Sequence, residues 1–270
     1  MGVLQDKVAV VLGAAGRNNM CQAIAREYAK EGARVVVAGR NAETLGALAA
    51  EIGGAWTLCD ITSKSQVEDM AAFTKQRYGR IDIAVNGTAK GILKPFEEHT
   101  EDDLDLMLDI SFKGAFKWLQ IMVREMDQGG SIINISSAVA TILFEQHMAY
   151  AGAKAGMDHV VRCIANEYGH KGIRVNTIAP GLTETPMLQG MAQIPGMLAA
   201  FEKEYPLGRI TTIDDVAFAA LFLANDRCYM TGQTLHVTGG LTLRRNPTQA
   251  EINASVQAAM AKQESQQPAG

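Results

Sequence analysis

Short runs rich in valine and isoleucine alternate along the chain with longer stretches whose apolar residues recur at helical spacing. Consecutive β-branched residues are typical of strands that are buried on both faces of a sheet. The pattern predicts seven strands, at residues 8–12, 34–38, 56–59, 81–85, 131–135, 174–178 and 233–237. It predicts six helices, near residues 20–31, 42–52, 64–78, 101–126, 149–169 and 213–225.

The regular alternation of strands and helices predicts the fold class. It favours an α/β protein with a doubly wound parallel sheet of the Rossmann type, folded as a single domain over residues 1–240. In such sheets, ligands bind in the crevice beyond the carboxyl ends of the strands. Candidate functional residues are therefore expected in the segments that directly follow the strands.

Residues 182–208 interrupt the alternation and form a predicted lid region over the substrate site. The lid is rich in methionine and other apolar residues. These predict either a pocket for a bulky hydrophobic substrate or the buried face of a lid helix. The residues concerned are Met187, Leu188, Met191, Ile194, Met197, Leu198 and Phe201.

Residues 241–270 form a C-terminal extension in which Thr248 and Glu251 form a capping box for a short helix. Apolar residues at four-residue steps give this helix one narrow stripe. Two interpretations stay open: the extension closes the substrate crevice, or it lies loosely attached on the surface. The polar residues 263–270 are expected to be disordered. The stripe is Ile252, Val256 and Met260, and Arg244 and Arg245 are candidate anchors at its start.

The composition narrows the range of partners. The 270 residues are 47% hydrophobic and 20% charged, with a formal net charge of −4 and no basic block, so neither nucleic acid nor an anionic membrane is expected as a partner. No apolar run approaches the roughly 20 residues needed to span a bilayer, and no secretory signal is seen, so we expect a cytoplasmic protein. Scattered cysteines predict reduced thiols and no metal site. They are Cys21, Cys59, Cys163 and Cys228.

The first predicted strand runs into a glycine-rich loop with the sequence GAAGRNNM at residues 13–20. Glycine lets the backbone approach a ligand closely, and the free N–H groups at the start of the following helix favour phosphate. The loop therefore predicts a dinucleotide-binding site, whereas its other interpretation is an ordinary glycine turn. Its candidate cofactor-binding residues are Gly13, Arg17, Asn18, Asn19 and Met20.

A stronger indication of chemistry comes from Ser137, Tyr150 and Lys154. Residues four apart share one face of a helix, so Tyr150 and Lys154 are expected to point at one site. A free tyrosine loses its proton at about pH 10, and a neighbouring ammonium lowers that pKa toward the range of an acid–base catalyst. Ser137 ends the fifth predicted strand, where its hydroxyl can hydrogen-bond a substrate oxygen. The other interpretation is a surface tyrosine beside a surface lysine.

The thirteen-residue step from Ser137 to Tyr150, with the sequence NIS directly upstream, resembles the catalytic pattern of the short-chain dehydrogenase/reductase family. The resemblance covers residues 5–240. It implies an enzyme that moves a hydride between a nicotinamide cofactor and a carbonyl or alcohol. In reduction, Tyr150 would donate the proton and Ser137 would stabilise the substrate oxygen. Lys154 would lower the pKa of Tyr150 and hold the cofactor ribose.

The resemblance also implies which residues hold the cofactor. Asp60 follows the third predicted strand and is implied to contact the adenine, although it equally fits a helix cap. Asn86 keeps only the first residue of the family's Asn-Asn-Ala-Gly, and residues 180–185 match the stretch that holds the nicotinamide. The implied cofactor-binding residues are Asp60, Ile61, Asn86, Gly87, Tyr150, Lys154, Pro180, Gly181, Thr183 and Thr185.

Departures from the family pattern leave alternatives open. The glycine loop is two residues longer, with Asn19 and Cys21 where glycines usually lie, and it resembles the loop of bacterial enoyl reductases. Those enzymes space tyrosine and lysine by six residues, but position 157 is Met157, so enoyl reductase is the lower-ranked alternative. A non-catalytic nucleotide-binding scaffold is the alternative of another class, and the intact catalytic pattern argues against it. Ser111 replaces a family asparagine, and either holds a relay water or fills helix space.

Arg40 follows the second predicted strand, and Gly39 lies where NAD-preferring members carry an acid. A guanidinium can pair with a 2′-phosphate, and Arg17 can add to the same pocket. We therefore expect NADP(H), with NAD(H) as the alternative and a solvated Arg40 as the other interpretation. The expected partner is a small-molecule carbonyl or alcohol substrate. The resemblance also implies a homo-oligomer, a tetramer or dimer, built on the helices near 101–126 and 149–169.

Overall fold

Seven parallel strands form one sheet at the centre of the computed structural model, which describes residues 2–266. In chain order the strands are β1 (Val8–Leu12), β2 (Arg34–Gly39), β3 (Ala55–Leu58), β4 (Ile83–Asn86), β5 (Gly130–Ile135), β6 (Ile173–Pro180) and β7 (Thr234–Val237). Their order in the sheet is β3-β2-β1-β4-β5-β6-β7. The order reverses between β1 and β4, which is the switch point where a doubly wound sheet opens its ligand crevice.

Helices connect the strands and cover both faces of the sheet. They are α1 (Met20–Lys30), α2 (Ala42–Ile52), α3 (Lys64–Tyr78), α4 (Glu101–Leu108), α5 (Ala115–Glu125), α6 (Met148–Tyr168), α7 (Pro186–Ala192), α8 (Met197–Glu202), α9 (Ile213–Ala224) and α10 (Gln249–Gln266). A π-helical segment, Asp109–Gly114, joins α4 to α5. Short 3₁₀ turns span Phe96–Glu98, Ala138–Ala140, Gly169–Lys171 and Leu241–Leu243. Among the described helices, none combines the length and apolar character that crossing a bilayer requires.

The core consists of two layers, one on each face of the sheet. Successive residues of a strand point to opposite faces, so β1 contributes Ala9 and Val11 to one layer and Val10 and Leu12 to the other. The first layer packs against α1, α2 and α9, and the second against α3, α5 and α6. Every residue of β1 is buried, which explains why this strand is continuously apolar in sequence.

The predicted fold class is confirmed, and each of the seven predicted strands coincides with an observed strand to within two residues at either end. Three details differ from the sequence-based expectations. The helix predicted near 101–126 contains the π-helical segment, and the lid contains two short helices, α7 and α8. The expectation of disorder from residue 263 is wrong for 263–266, because α10 continues to Gln266. Residues 267–270 lie outside the described residues.

Candidate active site

Ser137, Tyr150 and Lys154 lie together at the carboxyl end of β5. Ser137 is the second residue after this strand, and its Oγ accepts a hydrogen bond from the backbone N–H of Val139 (3.4 Å). Tyr150 and Lys154 lie in the first two turns of α6, and the Lys154 Nζ is 5.6 Å from the centroid of the Tyr150 ring. The Ser137 hydroxyl lies close enough to the Tyr150 hydroxyl to lower the pKa of the phenol. The structure therefore brings the three predicted catalytic side chains into one cluster.

The Lys154 ammonium reaches back beneath the end of β5. Its Nζ donates a hydrogen bond to the carbonyl oxygen of Ile135 (2.7 Å), and the residue is only 2% exposed. Burial lowers the pKa of Lys154 to about 8, because desolvation disfavours the charged form, while the carboxylate of Asp158 acts in the opposite direction. The lysine is held by the backbone of the strand that also carries Ser137.

Burial raises the pKa of Tyr150 to about 12, and the neighbouring Ser137 hydroxyl partly offsets this effect. The lowering of this pKa expected from Lys154 is therefore not found, because desolvation dominates. The phenol carries its proton at neutral pH and can donate it to a carbonyl oxygen, but the raised pKa makes it a weaker acid than a free tyrosine.

Asp158 belongs to the same cluster but was missed in the sequence. It follows Lys154 by one helical turn, and its Oδ2 accepts a hydrogen bond from the Ser136 hydroxyl (3.0 Å). Burial raises the pKa of Asp158 to about 6, and Ser136 and Lys154 act to lower it. The four-residue step from Lys154 to Asp158 was the signal that could have identified it.

The π-helical segment packs against α6 and buries Ser111. Ser111 is 2% exposed, and its hydroxyl has no hydrogen-bond partner among the described residues. A buried hydroxyl without a protein partner is suited to hold a water molecule. Gly114 closes the segment, and a Cβ there would lie 2.7 Å from the carbonyl oxygen of Asp109. π-helical insertions of this kind occur often at functional sites.

The glycine-rich loop is shaped by its own side chains. Asn19 caps α1, because its Oδ1 accepts from the backbone N–H of Gln22 (2.9 Å) and its Nδ2 donates to the carbonyl oxygen of Gly13 (2.8 Å). Gln22 in turn donates to the carbonyl oxygen of Ala14 (3.0 Å). Asn18 adopts the left-handed conformation with a φ of 48°. These bonds explain how a loop two residues longer than usual stays compact ahead of Met20, the first residue of α1.

Gly13 and Gly87 lie against each other where the loops after β1 and β4 meet. A Cβ at Gly13, whose φ is 104°, would lie 2.9 Å from the carbonyl carbon of Gly87. A Cβ at Gly87 would collide with the sulfur of Cys21. Position 21, where the family usually has a glycine, can hold a cysteine here because the thiol fills the space beside Gly87, which has no side chain. The close approach of these backbones forms a cradle that fits a dinucleotide.

The side chain of Asn86 forms hydrogen bonds with other groups of the protein. Its Oδ1 accepts from the backbone N–H (3.1 Å) and the hydroxyl (2.7 Å) of Thr88, and its Nδ2 donates to Oδ1 of Asn134 (3.1 Å). This network joins the ends of β4 and β5. Asn134 was not predicted as a site residue, although it lies in the segment that carries the family resemblance.

The predicted adenine end of the cofactor site contains two exposed arginines. Arg40 is 3.6 Å from the carboxylate of Asp60, and Arg17 is 3.1 Å from that of Glu43, so the two arginines have separate partners. Asp60 caps its own turn by accepting from the backbone and hydroxyl of Thr62 (2.9 and 2.8 Å). Ile61 beside it is buried in the core.

Gly39, at the end of β2, lies directly against the glycine-rich loop. A Cβ on Gly39 would be 2.6 Å from the Cβ of Ala15. An acidic side chain at this position would therefore force the loop to move. The carboxylate that NAD-preferring family members carry at this position has no room here.

Pro180 ends β6, and the predicted nicotinamide segment follows it. A Cβ on Gly181 would collide with the hydroxyl of Tyr205, which donates to the carbonyl oxygen of Leu182 (3.4 Å). Thr183 donates its hydroxyl hydrogen to the carbonyl oxygen of Gly181 (2.9 Å). Thr185 immediately precedes α7 as its N-cap residue. The segment is thus held at the same edge of the sheet as the catalytic cluster.

The apolar lid residues form a small core of their own rather than an open pocket lining. Phe201, Tyr205 and Leu241 are buried at its centre, and Ile252 of α10 is buried with them. The partly or fully buried lid residues in this cluster are Leu182, Leu188, Met191, Met197, Leu198 and Ala200. Of the predicted apolar set, the Met187 side chain lies outside the described residues. The interpretation as a buried lid face therefore fits the lid better than that of a hydrophobic substrate pocket.

Comparisons with known proteins agree with this geometry. A family model described as enoyl-(acyl carrier protein) reductase matches residues 13–242. D-threitol dehydrogenase of Mycolicibacterium smegmatis is 38% identical over 250 residues, covering 89% of this chain and 95% of that protein. NAD-dependent glycerol dehydrogenase of Listeria innocua is 34% identical over 248 residues, covering 89% of this chain and 96% of that protein.

Among solved structures, a short-chain type dehydrogenase/reductase from Mycobacterium ulcerans superposes with a TM-score of 0.86 at 28% sequence identity. The superposition covers 90% of this chain and 92% of that one. The similarity therefore extends over the whole sheet and its crevice rather than over the glycine-rich loop alone.

Proposed function

We propose, from the premise that the chain belongs to the short-chain dehydrogenase/reductase family, that it interconverts a ketone or aldehyde and the corresponding alcohol with NADP(H). The observation that carries this proposal is the convergence of the Ser137 and Tyr150 hydroxyls, with Lys154 buried beside them. Two hydroxyls converging at the carboxyl end of a central strand form a site for one substrate oxygen.

The nicotinamide, when bound, supplies or accepts the hydride. In reduction, Tyr150, which is protonated at neutral pH, donates its phenolic proton to the substrate oxygen. Ser137 donates a hydrogen bond to the same oxygen as its negative charge grows. Lys154, held by the Ile135 carbonyl, places its positive charge beneath the tyrosine. In oxidation the proton moves in the reverse direction.

The preference for NADP(H) is supported by the end of β2. The packing of Gly39 against the glycine-rich loop leaves no room for a carboxylate. The Arg40 side chain is 74% exposed, so its guanidinium can turn from Asp60 toward a 2′-phosphate. Asp60 itself is fixed by Thr62 and competes for Arg40 only through a long contact of 3.6 Å. NAD(H) is the alternative, as in the name of the Listeria glycerol dehydrogenase.

Enoyl reduction is the second candidate, because the matching family model carries that description. The six-residue spacing of tyrosine and lysine in enoyl reductases would put the lysine at position 157. Met157 is fully buried in the core between α6 and the sheet, so no ionised side chain fits there without a large desolvation cost. The arrangement favours a carbonyl substrate over an enoyl one.

A homo-oligomer, tetramer or dimer, remains part of the proposal. The helical segment around the π-helix exposes apolar side chains, among them Leu104, Leu108 and Phe116. On the outer face of α6, Gly152 has open space above it and Ala155 is exposed, so another helix could approach closely. A monomeric mass by light scattering at the assay concentration would contradict this expectation.

The proposed function is tested by following NADPH and NADH oxidation against a panel of ketones and aldehydes. Tyr150→Phe should lower kcat by at least about a hundredfold, because the proton donor is lost. Binding of NADPH, followed by fluorescence, should be retained. Tyr229→Phe, a change at a fully exposed tyrosine, is the matched control and should leave kcat unaltered. A Tyr150→Phe enzyme with near-normal kcat would refute the assignment.

A further inference from the structure

The imidazole of His147 lies directly beside the ring of Tyr150 and has no part in the mechanism above. The two ring centroids are 4.6 Å apart, with an angle of 47° between the planes. His147 immediately precedes α6, and Tyr150 lies one turn further on, so both side chains project from the same end of the helix. The nearest aromatic neighbour of the catalytic tyrosine is thus a group that can form hydrogen bonds.

The hydrogen bonding of the ring fixes its tautomer. His147 Nδ1 is 3.1 Å from the carbonyl oxygen of Ile92, which can only accept a hydrogen bond, so Nδ1 carries the hydrogen. Burial lowers the pKa of His147, and the ring is therefore neutral at neutral pH. Nε2 is then an acceptor with a free lone pair. Among the residues that the structure describes, none donates a hydrogen bond to it.

The ring is packed where the loop after β4 meets the segment after β5. A Cβ on Gly91 would lie 3.0 Å from His147 Cε1, so the loop after β4 packs closely against the ring. The same loop is tied to the segment after β5, because Lys94 donates its backbone N–H to the carbonyl oxygen of Gln146 (2.8 Å). Phe144 contacts the ring edge-on, with centroids 5.9 Å apart. His147 is therefore preorganised where these two loops meet beside Tyr150.

We propose that His147 Nε2 accepts a hydrogen bond from a second hydroxyl of the substrate, on the carbon next to the one that is oxidised or reduced. The preferred substrates are then vicinal diols and the matching 2-hydroxy ketones. Neighbouring oxygens of a diol are separated by about the length of a hydrogen bond, so one can meet Tyr150 while the other meets His147. This inference rests on the proposed function and defines its substrate class.

An acceptor that a substrate group must pair discriminates between substrates. A substrate without the second hydroxyl leaves Nε2 of the partly buried ring unpaired, whereas a diol satisfies it. We expect the wild-type enzyme to favour a diol over the matched mono-alcohol by about tenfold to a hundredfold in kcat/KM. The pair 2,3-butanediol and 2-butanol, with acetoin and 2-butanone for the reverse direction, differs only in that hydroxyl.

Two substitutions separate the roles of the ring. His147→Asn keeps a donor for the Ile92 carbonyl but removes the Nε2 acceptor, and His147→Phe keeps the aromatic contacts but removes all hydrogen bonding. Both should reduce the ratio of kcat/KM for 2,3-butanediol to that for 2-butanol by about tenfold or more. The ratio cancels any general loss of activity. His159→Asn, an exposed histidine on the same helix, is the control and should leave the ratio within twofold.

Ratios for both His147 variants that stay within twofold of the wild-type value would overturn this inference alone. So would a wild-type enzyme that turns over 2-butanol as efficiently as the diol. A wild-type enzyme that turns over neither alcohol, nor any ketone or aldehyde of the panel, with either cofactor would overturn the proposed function and this inference with it.

Discussion

Helix α10 connects the two walls of the substrate crevice, and weakening its attachment should selectively impair substrate binding. Its first residue, Gln249, donates its backbone N–H to the carboxylate of Glu145 (2.7 Å), in the loop that leads to Tyr150. Six residues further on, the Ser255 hydroxyl donates to the carbonyl oxygen of Gly196 (2.8 Å), between the two lid helices. The helix therefore holds the lid and the loop after β5 together.

The apolar part of this attachment depends mainly on one residue of the predicted stripe. Ile252 is 4% exposed within the lid core, whereas Met260 is 46% exposed. Truncation of a buried isoleucine to alanine costs about 2 kcal/mol or more, through lost burial and the cavity left behind. If substrate binds only when the lid is held, about 2 kcal/mol lost from docking raises KM by up to about 30-fold.

The assay is steady-state kinetics of Ile252→Ala with the best ketone of the panel, varying ketone and cofactor separately. We expect KM for the ketone to rise by about tenfold to 30-fold and KM for the cofactor by less than about twofold. Met260→Ala on the same helix is the matched control. A chain ending at Pro247 removes α10 but keeps Leu241, which is fully buried. If Ile252→Ala and the shortened chain both fold and keep the wild-type KM, α10 has no part in closing the crevice.

Three further predictions follow from the site. Arg40→Asp should shift the ratio of kcat/KM for NADPH to that for NADH by at least about tenfold toward NADH, because a carboxylate repels the 2′-phosphate. An unchanged ratio would show that Arg40 does not bind the 2′-phosphate. Ser111→Ala should lower kcat and Ser111→Asn should preserve it, and normal turnover by the alanine variant would exclude a relay through this hydroxyl. The pKa of Asp158 is raised to about 6 in the folded protein. Ionisation of this buried carboxyl therefore lowers the free energy of unfolding as pH rises from about 4 through 6. Over that pH range, the free energy of unfolding of Asp158→Asn, measured in urea, should therefore rise relative to that of the wild type by up to about 3 kcal/mol. A difference between the two proteins that stays constant with pH would contradict this expectation.

The fold could be predicted from sequence because its strands are continuously β-branched and its helices are periodic. The π-helical segment at Asp109–Gly114 could not, since one extra residue in a turn leaves the surrounding apolar spacing almost unchanged. A lid helix was one interpretation of residues 182–208, but its division into α7 and α8 was not predicted, because these helices are only seven and six residues long. Helices this short are stabilised by tertiary contacts rather than by their own propensity, and those contacts lie in the lid core.

The clustering of the candidate catalytic residues was accessible to sequence analysis for a similar reason: Ser137, Tyr150 and Lys154 are linked by local spacing on one strand end and one helix. His147 was not, although it lies only three residues before Tyr150. Its role depends on the carbonyl of Ile92, which belongs to a different loop, and on a tautomer that only this contact selects. A sequence shows that a histidine is present but not which of its nitrogens is left to bind a ligand.

The polar residues that follow the strands show why individual ligand contacts are harder to predict than the site itself. Asn19, Asp60 and Asn86 were each assigned to the cofactor, yet each side chain forms its main hydrogen bonds within its own loop or to a neighbouring strand end. Polar side chains at such positions can either contact a ligand or fix the backbone that does, and the two uses require the same residue types. In this structure the three side chains fix the backbone. The close packing of Gly13 on Gly87 brings main-chain groups together where we propose that the cofactor binds.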